Sequence, residues 1–214
     1  MNSNSIWPMS KPRSPISVIN TGIDPELVEY INKTIDKDGI LPTDDGTINV
    51  KTLNKKIRDV KMKPITTQYW FAGMIWHVIQ RTNQSNFKLD ITSFEDDTIN
   101  LMQYTEGQHY VWHADTLYPG NLSKKIARWD KLQDTDDNIY VRKLSFSLPL
   151  TDPSEYEGGK LQFYVQGENK KVYTVDQQLG HMIVFDSRVC HRVLPVKSGT
   201  RRALVGWVLG PRWR

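Results

Sequence analysis

Two stretches near the start of the chain repeat hydrophobic residues at the spacing of an α-helix. Asp24-Pro25-Glu26 has the composition of a helix start, with Asp as N-cap, Pro at the first helical position and an acid in the first turn. Four hydrophobic residues then follow at helical spacing, namely Leu27, Val28, Ile31 and Ile35. Asp38-Gly39 ends this predicted helix. A second helix is predicted from about residue 66 to residue 81, where Trp70, Met74 and Val78 recur every fourth residue.

After Asn83 the hydrophobic pattern changes from helical spacing to alternation, which is typical of strands. Besides a short strand at 16–19, strands are predicted at 87–94, 99–104, 108–115, 143–150, 160–165, 171–175, 181–185, 189–194 and 201–209. Many short strands separated by turns indicate a sandwich or barrel of the jelly-roll type. The predicted fold is therefore α+β and mainly β, a jelly-roll core with the N-terminal helices packed on it.

A length of 214 residues suits one domain with a proper core. The sequence predicts a flexible arm over 1–15 and a single domain over 16–214, with a helical part at 16–86 and the jelly-roll core at 87–214. No apolar run approaches the roughly 20 residues that span a bilayer, and the N-terminus has no apolar core of the signal-peptide type. We therefore expect a cytoplasmic protein that does not bind membranes. The single cysteine, Cys190, excludes an internal disulfide and any multi-cysteine metal site within one chain.

The net charge of +4 is mildly basic, which raises the question of a nucleic-acid partner. Proteins that bind nucleic acids usually concentrate their basic residues in one patch. Here lysine and arginine are scattered, with small clusters at 51–63, 124–128 and 212–214. The distribution favours a solvated surface over nucleic-acid binding.

The segment QYTEGQHYVWHAD, residues 103–115, carries the candidate chemistry. On a strand, His113 and Asp115 project from the same face, so they can offer two ligands to a divalent metal. H-x-D alone is a weak signal, and a second histidine must come from His77, His109, His181 or His191. His109 and His113 form HxxxH, but a zinc protease needs Glu directly after the first histidine, and Tyr110 is there.

His191 is the better candidate, because Arg201 follows it ten residues later. Residues 180–210 are predicted to form a strand, a loop, a strand with His191, a turn and a return strand that begins near Arg201. An arginine that points inward is costly unless it meets an anion, and a guanidinium binds a carboxylate through two parallel hydrogen bonds. An inward Arg201 therefore implies a ligand whose carboxylate lies away from the metal.

H-x-D, a distal His and Arg ten residues later resemble the Fe(II)- and 2-oxoglutarate-dependent dioxygenases, in particular the PKHD-type branch of the prolyl 4-hydroxylase-like enzymes. Three segments carry the resemblance, which covers about residues 87–209: YTEGQHYVWHAD, EGGKLQF at 157–163, and HRVLPVKSGTRRALVGW at 191–207. Collagen prolyl hydroxylases typically have Lys at the position of Arg201, whereas the PKHD type has Arg. The resemblance implies a double-stranded β-helix as the jelly-roll core.

The resemblance also implies the roles of individual residues. His113, Asp115 and His191 would bind Fe(II), and Arg201 would hold the distal carboxylate of 2-oxoglutarate. Tyr110 matches a tyrosine that contacts the cosubstrate, and Tyr104 is a second candidate for this contact. On a regular strand Tyr110 would face away from His113, so a bend in the strand is required.

The implied reaction consumes 2-oxoglutarate and O2, hydroxylates an unactivated C–H bond and releases succinate and CO2, with ascorbate as a possible reductant. A prolyl residue of a protein or peptide is the first choice of substrate. Free amino acids, lysyl residues, other small molecules and a nucleobase stay open, the last because of Arg212 and Arg214. So do a vestigial binding module and a cupin-like zinc or manganese enzyme. The resemblance also implies that the long segment 116–142, with a predicted helical stretch at 122–132, lies beside the substrate groove. Tyr118, Arg128 and Trp129 are candidates either to line this groove or to anchor the loop to the body of the protein. The oligomeric state is not predicted.

Overall fold

The computed structural model describes residues 14–39, 55–116, 140–165 and 171–212. The two α-helices in these ranges are α1 (Pro25–Lys37) and α2 (Trp70–Thr82). The strands are β1 (Ile16–Asn20), β2 (Arg58–Asp59), β3 (Lys61–Thr66), β4 (Ser93–Phe94), β5 (Thr98–Tyr104), β6 (His109–His113), β7 (Tyr140–Pro149), β8 (Tyr156–Gly158), β9 (Leu161–Val165), β10 (Lys171–Thr174), β11 (His181–Asp186), β12 (Cys190–Val193), β13 (Val196–Gly199) and β14 (Arg201–Pro211).

The strands form two main sheets that face each other. The large sheet has the order β1-β11-β7-β14-β5-β3, with β4 beside β14, and the small sheet has the order β10-β9-β12-β6-β2. A separate pair joins β8 and β13. The pairing between the named strands is antiparallel. This architecture confirms the predicted jelly roll.

The helices cover the outer face of the large sheet, as predicted. The side chain of Asp24 accepts a hydrogen bond from the backbone N–H of Leu27 at 2.9 Å, and α1 begins at the next residue, Pro25. The apolar face of α1 is buried in a cluster shared by both helices and the large sheet, which includes Val28, Ile31, Ile35, Phe71, Ile75, Ile79, Phe146, Leu148 and Leu204. Complete burial of each such side chain stabilises the fold by about 1.5–3 kcal/mol.

The second hydrophobic cluster lies between the two sheets. It is built from side chains on their inner faces, including Met62, Met102, Phe163, Ile183, Phe185 and Val193. The large sheet is thus buried on both faces, against helices on one side and against the small sheet on the other. The candidate site residues border this inner cluster.

The structure corrects three boundaries. The predicted helix start near residue 66 is wrong, because residues 61–66 form the strand β3 and α2 begins at Trp70. The predicted strand at 87–94 is also wrong except for β4, because a π-helical turn at Asn83–Phe87 and an irregular segment occupy that stretch. The division at residue 86 does not match the sheets, since β1, β2 and β3 all belong to them.

The end of the predicted N-terminal arm is attached to the body of the protein. The carbonyl of Ser14 accepts a hydrogen bond from Asn86 at 2.7 Å, and the carbonyl of Pro15 accepts one from the backbone N–H of Asp186 at 3.0 Å. Residues 1–13, the predicted helical stretch at 122–132, Tyr118, Arg128, Trp129 and Arg214 lie outside the described residues. Neither helix in the described ranges combines the length and the apolar character needed to cross a membrane.

Candidate metal centre

Two neighbouring strands of the small sheet bring three candidate ligands together. His113 ends β6, Asp115 follows two residues later, and His191 lies on β12 directly opposite His113. The Nε2 atom of His113 is 3.7 Å from Oδ1 of Asp115, and Nε2 of His191 is 3.5 Å from Oδ2 of the same carboxylate. The donor atoms all lie within 4.8 Å of one another, and no second group of this kind occurs among the described residues. The arrangement is suitable for holding a metal ion.

Both imidazole rings are oriented by backbone carbonyls. Nδ1 of His113 is 2.8 Å from the carbonyl oxygen of Val111, and Nδ1 of His191 is 3.0 Å from that of Val189. In the neutral ring, an Nδ1–H group that donates to a carbonyl leaves the lone pair on Nε2. The Nε2 atoms are the ones that face Asp115. Such contacts fix the tautomer that a metal ligand needs.

The electrostatics of the cluster favour neutral His113 and ionised Asp115. Burial, together with the neighbouring His191, lowers the pKa of His113 from 6.5 to about 4. Burial alone would raise the pKa of Asp115, but His191, His113 and Arg142 outweigh it and hold this pKa below its ordinary value. With His191 as the second imidazole, the cluster has the two-histidine, one-carboxylate donor set typical of non-haem Fe(II) sites.

Asp115 is held through its backbone as well as its side chain. Its N–H donates to the carbonyl of Ser187 at 3.0 Å, and its carbonyl accepts from Nη1 of Arg142 at 3.3 Å. The Ser145 hydroxyl helps to lower the pKa of the Asp115 carboxyl, and Ser145 Oγ lies 2.9 Å from Ser187 Oγ. The position of Asp115 therefore depends on β7 and on the turn after β11.

Arg142 and its partner Glu95 were not predicted from the sequence. Arg142 donates to Glu95 through Nε at 2.9 Å and through Nη2, and its guanidinium carbon lies 3.8 Å from the centre of the Trp207 ring. One side chain thus joins Glu95, Trp207 and the backbone of Asp115. The two charged residues are 47 positions apart in the sequence, and no motif signals their pairing.

Arg201, at the start of β14, points into the interior as expected. It is only 3% exposed, its Nε has no hydrogen-bond partner, and no carboxylate within the described ranges pairs with it. Its side chain passes close to Gly159, where a Cβ atom would lie 3.0 Å from Cδ of Arg201. A buried cation without an anion is costly. This environment suits a ligand that carries a carboxylate.

The two predicted cosubstrate tyrosines lie on the same interior side as the cluster. Tyr104 is 4% exposed, lies opposite Arg201 in the β5–β14 pair, and its ring centre is 5.2 Å from the guanidinium carbon. The pairing of β6 with β12 shifts between His113 and Tyr110, so β6 contains one extra residue there. This bulge is the required bend: the ring of Tyr110 stacks on that of His113 at 3.5 Å.

The structure separates His109 from the cluster. Its ring atoms lie 3.2 Å from the carbonyl of Gly107 and 3.4 Å from the carbonyl of Lys56. This histidine therefore serves the loop before β6 rather than the group of donors around Asp115.

Comparison with known proteins decides the family. Residues 99–209 match a sequence model of the 2OG-Fe(II) oxygenase superfamily, which is more than half of the chain. The protein belongs to this superfamily. It is 27% identical over 198 residues to a PKHD-type hydroxylase of Gloeothece citriformis, covering 90% of this chain and 77% of the relative. A PKHD-type hydroxylase of Prochlorococcus marinus is 42% identical over 76 residues, which cover 34% of this chain and 33% of that relative.

Solved structures of similar shape support the same fold for this superfamily member. A Pseudomonas putida prolyl-4-hydroxylase superposes with a TM-score of 0.61 at 20% identity and covers 93% of this chain and 94% of its own. A Trichoplax adhaerens prolyl hydroxylase in complex with a peptide fragment of hypoxia inducible factor superposes with a TM-score of 0.64 at 19% identity, over 92% and 84% of the two chains. Fe(II), 2-oxoglutarate and O2 are the cofactors that the family implies.

Proposed function

We propose that this protein is an Fe(II)- and 2-oxoglutarate-dependent dioxygenase that hydroxylates a prolyl residue of a protein or peptide, and that residues 16–214 form its single catalytic domain. The observation that carries the proposal is the triad His113, Asp115 and His191 beside the buried Arg201. The triad would hold Fe(II) and leave open positions for exogenous ligands. Arg201 would bind the distal carboxylate of 2-oxoglutarate through paired hydrogen bonds.

The chain's own residues would position the reactants and keep water away. Both histidines present their Nε2 atoms to the site, and Asp115 supplies the negative charge. The rings of Phe185 and Phe163 lie 4.7 Å and 5.8 Å from the ring of His191, so one side of the triad is apolar. Bound iron would supply the activation of O2, with one oxygen atom entering succinate and the other the new hydroxyl as CO2 leaves. A dry and preorganised site favours such chemistry.

The choice of a prolyl substrate is supported by the relatives. The two curated relatives are named PKHD-type hydroxylases, and the two similar structures are prolyl hydroxylases, one of them with a bound peptide fragment. Tyr104 and Tyr110 would line the cosubstrate space, since both rings adjoin the triad or Arg201. Ascorbate would act as reductant. Free amino acids, other small molecules and nucleobases are the substrate classes to be tested against a peptide.

The first experiment needs no primary substrate. Under nitrogen, Fe(II) and then 2-oxoglutarate are added to the purified protein, and the visible spectrum is recorded. We expect a weak charge-transfer band that requires both additions and is lost in His113→Ala and Arg201→Ala. The matched controls, His109→Ala and Arg192→Ala, remove a histidine and an arginine outside the cluster and should keep the band.

A second experiment tests the substrate class. The iron-loaded protein is incubated in air with 2-oxoglutarate and a set of proline-containing peptides, and both peptide mass and succinate are measured. The proposal predicts one added oxygen atom per succinate formed. If the charge-transfer band forms but only free amino acids or nucleobases are oxygenated, the proposed dioxygenase activity stands and the proposed peptide substrate is wrong. No band from a folded wild-type protein would point to a vestigial site or to another metal.

A further inference from the structure

We infer that Arg58 is a second cosubstrate-binding residue, so that two guanidinium groups, those of Arg58 and Arg201, receive the distal carboxylate of 2-oxoglutarate. This inference rests on the proposed function and deepens it. It assigns a role to β2, a two-residue strand at the edge of the small sheet.

The side chain of Arg58 points between the two sheets. Its Nη2 atom lies 3.3 Å from the sulfur of Met62 and 3.8 Å from the sulfur of Met102, and both methionines are only 4% exposed. The next residue, Asp59, instead accepts a hydrogen bond from Gln108 at 3.0 Å. Successive residues of a strand point to opposite faces, so Arg58 belongs to the inner face.

Arg58 lacks an anionic partner within the described residues. No carboxylate in these ranges forms an ion pair with it, and its Nε is buried without a hydrogen-bond partner. Thioether sulfur is a weak acceptor and cannot balance a positive charge. Arg201 has the same two properties: its Nε is buried without a hydrogen-bond partner, and no carboxylate among the described residues forms an ion pair with it. Two unbalanced cations in one interior space are costly unless an anion binds there.

Two tyrosines connect both arginines to the same space. The guanidinium carbon of Arg58 is 5.0 Å from the ring centre of Tyr110, whose ring also stacks on His113. Met102, which contacts Arg58, precedes Tyr104 by two residues on the same face of β5, and Tyr104 lies beside Arg201. Burial raises the pKa of Tyr104, and Arg201 and Arg58 both oppose this rise, so both charges act on one phenol. The two guanidiniums therefore border the space next to the triad.

Arg58 is half-buried, and the enclosed part of its side chain favours the cosubstrate over the primary substrate as its partner. Its Nε is out of contact with solvent, and its immediate neighbours belong to the hydrophobic cluster between the sheets. A small dicarboxylate can enter such a space, whereas a peptide or nucleic acid must approach from the surface. An ionised carboxylate offers about four acceptor positions, which is enough for two guanidiniums.

The test compares two 2-oxo acids of equal chain length. 2-Oxoglutarate and 2-oxopentanoate, which lacks the distal carboxylate, are titrated anaerobically into the Fe(II) protein while the charge-transfer band is followed. For Arg58→Met we expect the dissociation constant of 2-oxoglutarate to rise at least about tenfold, while that of 2-oxopentanoate stays unchanged. Arg58→Lys keeps a positive charge, so its dissociation constant for 2-oxoglutarate should lie between those of the wild type and Arg58→Met. Arg81→Met, on the exposed side of α2, is the matched control.

An independent readout keeps this inference separate from the proposed function. The affinity for Mn(II) alone, measured in the absence of any 2-oxo acid, should be the same in the wild type and in both Arg58 variants. If Arg58→Met binds 2-oxoglutarate within about twofold of the wild type while Arg201→Met does not, Arg58 has no role in the pocket. Equal weakening of both 2-oxo acids would also overturn the inference, because it would show a general distortion of the site. No band in the wild type would overturn the proposed function itself.

Discussion

Replacing Arg142 by methionine should weaken both the fold and the candidate metal site. The guanidinium makes two hydrogen bonds to Glu95 and one to the carbonyl of Asp115, and it stacks on Trp207. Methionine preserves much of the apolar contact with the ring but removes the charge and all three hydrogen bonds. Glu95 would then remain in place without its cation.

The expected loss of stability follows from burial. The side chains of Arg142 and Glu95 are only 14% and 15% exposed, so the two residues form a largely buried ion pair rather than a surface one. Removing one partner of a buried pair costs about 3–5 kcal/mol, and partial access of water to Glu95 places this case near the lower end, at about 3 kcal/mol. The double variant Arg142→Met/Glu95→Leu removes the unpaired carboxylate and should recover about half of the loss.

Urea unfolding of the metal-free proteins measures this free energy, and Mn(II) titration measures the site separately. Because the contact with Asp115 is lost in both variants, we expect about 10- to 100-fold weaker Mn(II) binding in each, whatever their stability. Arg188→Met is the control, since the Arg188–Asp186 pair has a 54% exposed arginine and should contribute at most about 1 kcal/mol. A loss below about 1 kcal/mol for Arg142→Met, with unchanged Mn(II) binding, would refute the role assigned to this side chain.

Two further predictions concern pH and the arginine pocket. The unfolded chain protonates His113 near 6.5 and the folded chain only near 4, so the metal-free protein should lose up to about 3 kcal/mol as the pH falls between these values. His113→Gln should remove this part of the pH dependence in urea unfolding, and an unchanged slope would assign it to another group. Gly159→Ala should weaken 2-oxoglutarate binding more than Mn(II) binding, because the backbone has φ +56 and the added Cβ would crowd Arg201. Gly107→Ala, with φ +80 but open space, is the control, and an equal effect of both variants would exclude crowding of Arg201.

The sequence predicted the candidate triad because its signals are local. On the predicted strand, H-x-D would place two donors on one face, although in the structure β6 ends at His113 and Asp115 follows it. The position of His191 was marked by the arginine ten residues later. The structure brings these side chains together as neighbours across β6 and β12. Their roles as ligands remain a prediction. The bulge that brings Tyr110 onto His113 was also expected, since alternation alone would have turned the two rings apart.

The missed elements have physical reasons. The strand β3, KMKPIT, contains a proline and charged residues, which weaken a strand signal but are tolerated at the edge of a sheet, where β3 lies. Residues 87–94 alternate like a strand, yet the backbone of Leu89 is held by the Asn83 side chain instead of a neighbouring strand. Asn83 accepts from the N–H of Leu89 at 2.9 Å and donates to its carbonyl at 2.8 Å. When a side chain takes the backbone hydrogen bonds that a neighbouring strand would otherwise make, the hydrophobic pattern of the sequence does not reveal it.

The hydrophobic core is divided between the two faces of the large sheet, and this division explains how the fold accommodates the polar residues of the candidate site. Within the described parts of the chain, twenty buried hydrophobic residues form the cluster on the helix side, whereas eleven form the cluster between the sheets. Asp115 and Arg201 border the smaller cluster, together with two histidines and Arg58, so the apolar burial that stabilises the chain lies mostly elsewhere. Buried charges without partners oppose folding, and ligands that neutralise them stabilise the folded state by mass action. We therefore expect the polar residues of the candidate site to lower the stability of the free protein, and a metal and a dicarboxylate that bind there to restore it.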